Sequence, residues 1–256
     1  MKIKGLLIIA LGWIINCVLI SSAPAGVENR PINTDDAYTL DKGALTVALG
    51  AVFTKEENSA QETDLTIDLG YGITDKLEVT ANIPFVFSDP KGEDDQEGLG
   101  DITLRPEFLF WKEAGNIPAV SFASSFKLQS GNEDRGLGSG ETNYSLSLQF
   151  SKQFNPFNWH FNIGYTFVGQ PKGEAVDDVI FYNLACEYSV SEKLTLMAEL
   201  IGQTNSDSTA ADEPFECLLG LVYPISENID FDFGVGTGLT NASPDIRVTS
   251  GLTYQF

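Results

Sequence analysis

Beyond residue 43 the chain alternates, position by position, between apolar and small or polar residues. Leu65-Thr66-Ile67-Asp68-Leu69-Gly70-Tyr71 is apolar at every odd position, and Tyr144-Ser145-Leu146-Ser147-Leu148-Gln149-Phe150 at every even one. Ile229-Asp230-Phe231-Asp232-Phe233 sets two aspartates against a face of aromatics. A period of two is that of a β-strand whose two faces meet different surroundings. Twelve such segments follow one another: 44–53, 63–72, 76–87, 101–111, 117–128, 142–154, 157–169, 177–190, 193–202, 214–225, 228–238 and 244–256. Helical periodicity is missing, and no later stretch approaches the ~18 apolar residues of a membrane helix.

A soluble sandwich also alternates, so the connections decide between the two. Long polar gaps (54–62, 88–100, 129–141, 170–176, 203–213, 239–243) take turns with short ones (73–75, 112–116, 155–156, 191–192, 226–227). That rhythm predicts an all-β fold: a transmembrane antiparallel up-and-down β-barrel of about twelve strands, with short periplasmic turns and longer extracellular loops. An even strand number puts both ends of the barrel on the periplasmic side. Gly98-Leu99-Gly100 and Gly136-Leu137-Gly138 precede strands rather than helices, so they read as breaks between loop and strand, not as phosphate cradles.

In such a barrel the apolar alternate faces lipid and the polar one faces the lumen. The lumen-lining set is then Asp64, Asp68, Glu78, Asp101, Arg105, Glu107, Lys127, Glu187, Lys193, Glu199, Glu216, Asp230, Asp232, Asp245 and Arg247, with His160 among them. Eleven acids oppose four bases in this set, His160 aside, which predicts a preference for cations in any aqueous path. Two arrangements fit it: a filled barrel whose charges hold one another, or a narrow water path lined by them. Cys186 and Cys217 fall on lipid-facing alternates of strands that are not neighbours, so no disulfide is expected between them.

The first residues carry a different signal. Lys2 and Lys4 precede an apolar run from Leu6 to Ile20, and Ala23-Pro24-Ala25 supplies a small-x-small cleavage pattern. The expected organisation is a signal peptide over 1–25, a periplasmic pre-barrel segment or plug over 26–43, and an outer-membrane barrel over 44–256. Of 256 residues 36 are acidic and 15 basic, a net charge of −21, which argues against nucleic-acid binding. One histidine and three cysteines leave little material for a metal centre or a thiol enzyme, and no cofactor motif is present. No Gly-x-Ser-x-Gly elbow occurs, and His160, with Asn162 nearby, is the sole histidine from which a catalytic triad could start.

At the far end Leu252, Tyr254 and the terminal Phe256 share one face. This ending resembles the signal by which outer-membrane proteins are assembled, and it implies the barrel-assembly machinery as a partner. The stretch before the barrel, with Arg30, Pro31, Thr34, Asp35 and Asp36, resembles the opening of the outer-membrane family labelled for the meta-pathway of phenol degradation. Gly98 to Leu104 and Ser243 to Val248 look like later landmarks of that family. The resemblance implies passage of aromatic or other hydrophobic compounds.

The leading expectation is a passive bacterial outer-membrane channel or facilitator for small molecules, aromatic or hydrophobic ones among them, and not an enzyme. Its other partners would be membrane lipid and lipopolysaccharide. Two alternatives stand beside it: a structural or adhesion barrel acting through acidic loops, and an outer-membrane hydrolase. Residues 26–43 admit two roles, a plug that pairs with lumen charges such as Arg105 or Arg247, or a leader ordered at the periplasmic rim.

Overall fold

The structure, a computed structural model, describes residues 30–56, 60–90, 94–170 and 176–256. The expected signal peptide over 1–25 and its expected cleavage site lie outside these described residues.

Among the described residues thirteen strands run in chain order: β1 (Leu45–Lys55), β2 (Gln61–Thr74), β3 (Leu77–Asp89), β4 (Gln96–Leu99), β5 (Thr103–Trp111), β6 (Ala119–Lys127), β7 (Asn143–Phe154), β8 (Phe157–Phe167), β9 (Val179–Ser191), β10 (Leu194–Gln203), β11 (Phe215–Pro224), β12 (Ile229–Gly238) and β13 (Ile246–Gln255). Neighbours in sequence pair antiparallel, except that β4 and β5 both pair with β3 and not with each other, and β1 pairs with β13, so the sheet closes on itself. β4 and β5 lie end to end beside β3 and share one place in the wall. The result is a twelve-position barrel, as the alternation predicts, with β4 as the one strand the pattern does not announce. Phe256 N–H bonds Leu45 O at 2.9 Å, so both ends of the barrel sit on the short-turn side.

Closure pairs each long strand on both sides, the requirement for backbone in hydrocarbon, while short β4 pairs with β3 alone. The outer face is a continuous apolar belt: Leu49, Leu65, Phe108, Ile163, Leu200 and Leu219 are all exposed. A water-soluble protein does not carry such a surface; lipid must cover it. Aromatics gather at both ends of the belt. Phe85–Phe87 (5.2 Å between ring centres), Phe126–Tyr144 (5.7 Å) and Tyr165–Phe167 (4.9 Å) stand on the long-loop side. Phe108–Phe110 (5.2 Å), Phe157–Tyr188 (5.0 Å) and Tyr254–Phe256 (4.5 Å) stand on the other. These are interfacial girdles. Cys186 and Cys217 are free thiols on the outer face, with β10 between their strands.

The polar alternates turn inward and are the groups most removed from water: Asp68, Glu107, Gln149, Asn162 and Asp232 are each no more than 2% exposed. The molecule's interior is therefore a polar lumen rather than an apolar core.

Candidate functional site

Residues 30–43 do not stay at the rim. They enter the lumen from Gly43, whose N–H bonds Gly72 O at 2.7 Å, and circle the inner wall while rising through it. Leu40 N–H donates to Glu78 (2.7 Å), Ala37 N–H to Ser151 Oγ (2.7 Å), and Asp35 N–H to Asn162 Oδ1 (2.7 Å). Asn162 returns a bond to Asp35 O at 2.8 Å. Asn33 N–H meets both oxygens of Glu199 (2.9 and 3.0 Å), and Thr34 Oγ1 donates to the same carboxylate at 2.6 Å. An extended segment without a strand beside it must find partners for its backbone among side chains, and the inward polar alternates supply them.

Charge completes the attachment. Arg105 lies 2.9 Å from Asp35 and 2.6 Å from Glu107. Arg30, at the top of the circuit, faces Asp232 (3.3 Å) and Asp68 (3.7 Å), and donates to Ser250 O at 3.0 Å. Asp36 has no ion pair among the described residues; its Oδ1 accepts Tyr38 N–H at 2.6 Å. Burial raises the Asp36 carboxyl to about 6, with His160 partly offsetting that rise. At the periplasmic rim Tyr38 Oη donates to Glu113 at 2.7 Å, and Lys152 and Gln153 N–H hold the same carboxylate. Burial opposes ionisation of Glu113, but these donors prevail and keep it below its usual range.

Room for the segment is cut by glycines on inward positions. A Cβ on Gly220 would stand 2.5 Å from Pro31 Cγ, and one on Gly251 2.7 Å from Arg30 Nε. On Gly50 it would overlap the Arg30 guanidinium, and on Gly72 the carbonyl of Asp41. Two small apolar contacts seat the segment further: Ile32 against Ala185, Met197 and Leu218, and Ala37 against Leu109 and Ala119. On the extracellular side of the segment a cavity of about 210 Å³ remains, bounded by Arg30, Asn33, Thr66, Asn82, Arg247 and Thr249. A second, of about 200 Å³, shares Asn33 and Arg247.

The sequence-derived lumen set divides on this geometry. Asp64, Asp68, Glu78, Arg105, Glu107, Glu187, Glu199, Glu216, Asp230, Asp232 and Arg247 lie on inward positions of strands and are buried or half-buried. Arg247 does not reach the segment; it bonds Glu216 at 3.0 and 3.3 Å. Lys193 and Asp245 are corrections: both are exposed, Lys193 in the β9–β10 turn and Asp245 in the bend before β13. Alternation stops where the chain turns, so parity carried past a strand end misplaces a side chain. Asp101 and Lys127 (3.2 Å apart) stand at the extracellular end, where Asp101 also accepts Gly131 N–H and Ser139 N–H from the β6–β7 loop. Leu252, Tyr254 and Phe256 share the outer face of the last strand.

Sequence reasoning passed over Ser151 and Glu113 and the inward glycines, and it named Asn162 only as a neighbour of His160. Ser151 Oγ stands 2.8 Å from His160 Nδ1, and His160 Nε2 is 3.7 Å from Glu187. The residue types are those of a hydrolytic triad. Yet Ser151 is fully buried and its oxygen is engaged by Ala37 N–H, so these groups act as an anchor for the segment.

A closed barrel with a lipid-facing belt, both ends on the short-turn side and a polar lumen occupied by its own N-terminal segment defines an outer-membrane β-barrel of the bacterial type. The chain belongs to the family described as "Putative MetA-pathway of phenol degradation", whose model matches residues 28–256. Among solved structures it resembles an outer membrane channel from Pseudomonas putida F1, with 15% identity, a TM-score of 0.69, and coverage of 88% of this chain and all of that one. It also resembles the KdgM porin (9% identity, TM-score 0.58, 82% and 99% covered). A third likeness is to the CymD monoaromatic hydrocarbon channel (10% identity, TM-score 0.50, 84% and 88% covered). At these identities the likeness is one of fold. No match was found among curated proteins.

Proposed function

We propose that the protein is a passive outer-membrane channel for small molecules whose central path is held shut at rest by residues 30–43. The observation that carries this reading is the circuit those residues make inside the lumen, from Glu78 through Ser151, Asn162 and Glu199 to Asp232. A rim leader would need none of these contacts. Family membership and likeness to channel and porin barrels support transport over adhesion or catalysis. The engagement of Ser151 by Ala37 speaks against a working hydrolase.

Planar-bilayer conductance tests the reading. A protein lacking residues 28–41, with its signal and cleavage site kept, should conduct ions well above the intact chain. Equal conductance from two properly assembled barrels would reject the segment as a plug.

A further inference from the structure

On the inner wall four neighbouring strands set one row of positions side by side: Asp232 on β12, Gly251 on β13, Gly50 on β1 and Thr66 on β2. Asp68 follows two residues after Thr66 and points the same way. The middle of the row is bare backbone, with an acid on each side of it. Both acids are enclosed, Asp232 at 2% exposure and Asp68 at 1%.

Arg30 fills the gap between them. A Cβ on Gly50 would meet Cζ, Nη1 and Nη2 of Arg30 at nearly equal range, 2.6 Å or less, so the face of the guanidinium rests on that backbone. A Cβ on Gly251 would lie 2.7 Å from Nε and 2.9 Å from Nη2, so this glycine makes room for one edge. Nε donates to Asp232 Oδ2 (3.3 Å), and Nη2 to Ser250 O (3.0 Å) and Thr249 Oγ1 (3.3 Å). Nη1 faces Asp68 at 3.7 Å. The match is incomplete, because Asp232 Oδ1 is buried without a hydrogen-bond partner. None of these acceptors belongs to residues 30–43. Asp68 is held by donation from Thr66 Oγ1 (3.1 Å) and Asn82 Nδ2, also wall groups. The wall thus carries a preorganised receptor for a planar cation, and Arg30 is its ligand in cis.

We infer that this glycine shelf binds solutes carrying a guanidinium or amidinium group, which compete with Arg30 for it. A flat fork of N–H donors suits the shelf; an ammonium is a compact point charge with no face to lay on Gly50. The cavity of about 210 Å³ reaches Arg30, Thr66 and Thr249 from the extracellular side, and Pro31, Ile32 and Val52 give the body of a solute an apolar surface. Arg247, the other base on that cavity, is already matched by Glu216. Such a solute binds only where Arg30 has let go, so it favours the undocked segment by mass action. Arg30 is tethered, and a free competitor must match an effective concentration on the order of millimolar. The inference rests on the plug reading and names the solute class that releases it.

Planar bilayers at constant ionic strength provide the test. At about 1–10 mM, the range set by the tether, methylguanidinium should raise the open probability of the intact chain. Tetramethylammonium, which has no N–H to donate, should not. In the barrel lacking residues 28–41 the shelf has lost its own ligand, and methylguanidinium should bind there and reduce the potassium current. Gly50→Ala in that barrel puts a methyl on the shelf and should abolish the block. Asp232→Asn should raise the half-blocking concentration about tenfold, as loss of one charge-assisted hydrogen bond implies. An intact chain that responds equally to the two cations overturns the inference. So does an open barrel that methylguanidinium leaves unblocked, or whose block survives either substitution unchanged. The plug reading is decided separately, without solute, by the conductance of the deletion against that of the intact chain.

Discussion

Asp35 and Arg105 meet at 2.9 Å inside the barrel, and the same guanidinium holds Glu107 at 2.6 Å. One base thus joins an acid of the segment to an acid of the wall. Arg105→Ala leaves both carboxylates facing each other in a half-buried site. Loss of one partner from a buried pair costs about 3 kcal/mol, less where water reaches Asp35. The variant should open far more often in single-channel records; an unchanged closed fraction would show that the ion pair does not hold the segment.

Steric room should matter as much as charge. Gly220→Leu places a side chain where Pro31 lies, and Gly72→Ala drives a methyl into the Asp41 carbonyl. Both barrels should assemble with conductance raised toward that of the 28–41 deletion. A Gly236→Ala control, whose Cβ would meet Cys217 O at 3.0 Å and no atom of the segment, should not reproduce the effect.

Asp36 gives closure a pH dependence. Its carboxyl, near 6 when docked against an ordinary value of 3.8, prefers to be protonated in the lumen. Docking is therefore tightest below pH 4, weakens as pH rises from 4 through 6, and levels off above that, by at most about 3 kcal/mol. Glu187 and Asp35 act with burial, and His160 against it. Open probability should rise from pH 4.5 to pH 7 in the wild type and stay flat and low in Asp36→Asn. A rise in open probability on acidification would refute the sign.

Ser151→Ala removes the acceptor for Ala37 N–H in a site closed to water. Leaving that donor unmet costs about 1–3 kcal/mol, so brief openings should become more frequent. Hydrolysis of short-chain nitrophenyl esters by the purified barrel should be at background both before and after the change. A wild-type activity lost in Ser151→Ala would revive the hydrolase.

With the segment deleted, the wall's own charges set selectivity. Asp64, Asp68, Glu78, Glu199, Glu216 and Asp232 face few bases, and buried Asp64 Oδ1 and Asp232 Oδ1 have no hydrogen-bond partner in the structure. Reversal potentials in a salt gradient should favour cations. Anion selectivity would mean that the acids are held neutral.

Strands were legible because lipid and lumen impose opposite demands on successive residues, as Leu65 to Tyr71 displays. β4 was not, since Gln96-Glu97-Gly98-Leu99 has no apolar face of its own and is defined by pairing with Phe85–Ser88. The circuit of the segment was legible only as charge. Asn33 and Glu199 stand 166 positions apart, and no local pattern relates them. Gly50, Gly220, Gly234 and Gly251 carried a signal that could have been used: all lie on inward alternates of strands at one side of the barrel, and together they leave the wall bare where another chain segment fits.

The wall groups that grip Arg30 come from β2 near one end of the chain and from β12 and β13 at the other. The seat they form does not exist until the last strand has closed on the first. Arg30, ahead of every strand in the sequence, thus finds its full set of partners only after the last strand has paired. On the plug proposed above, a barrel that has just closed is an unstoppered ring, and how fast the segment threads home sets how long it leaks.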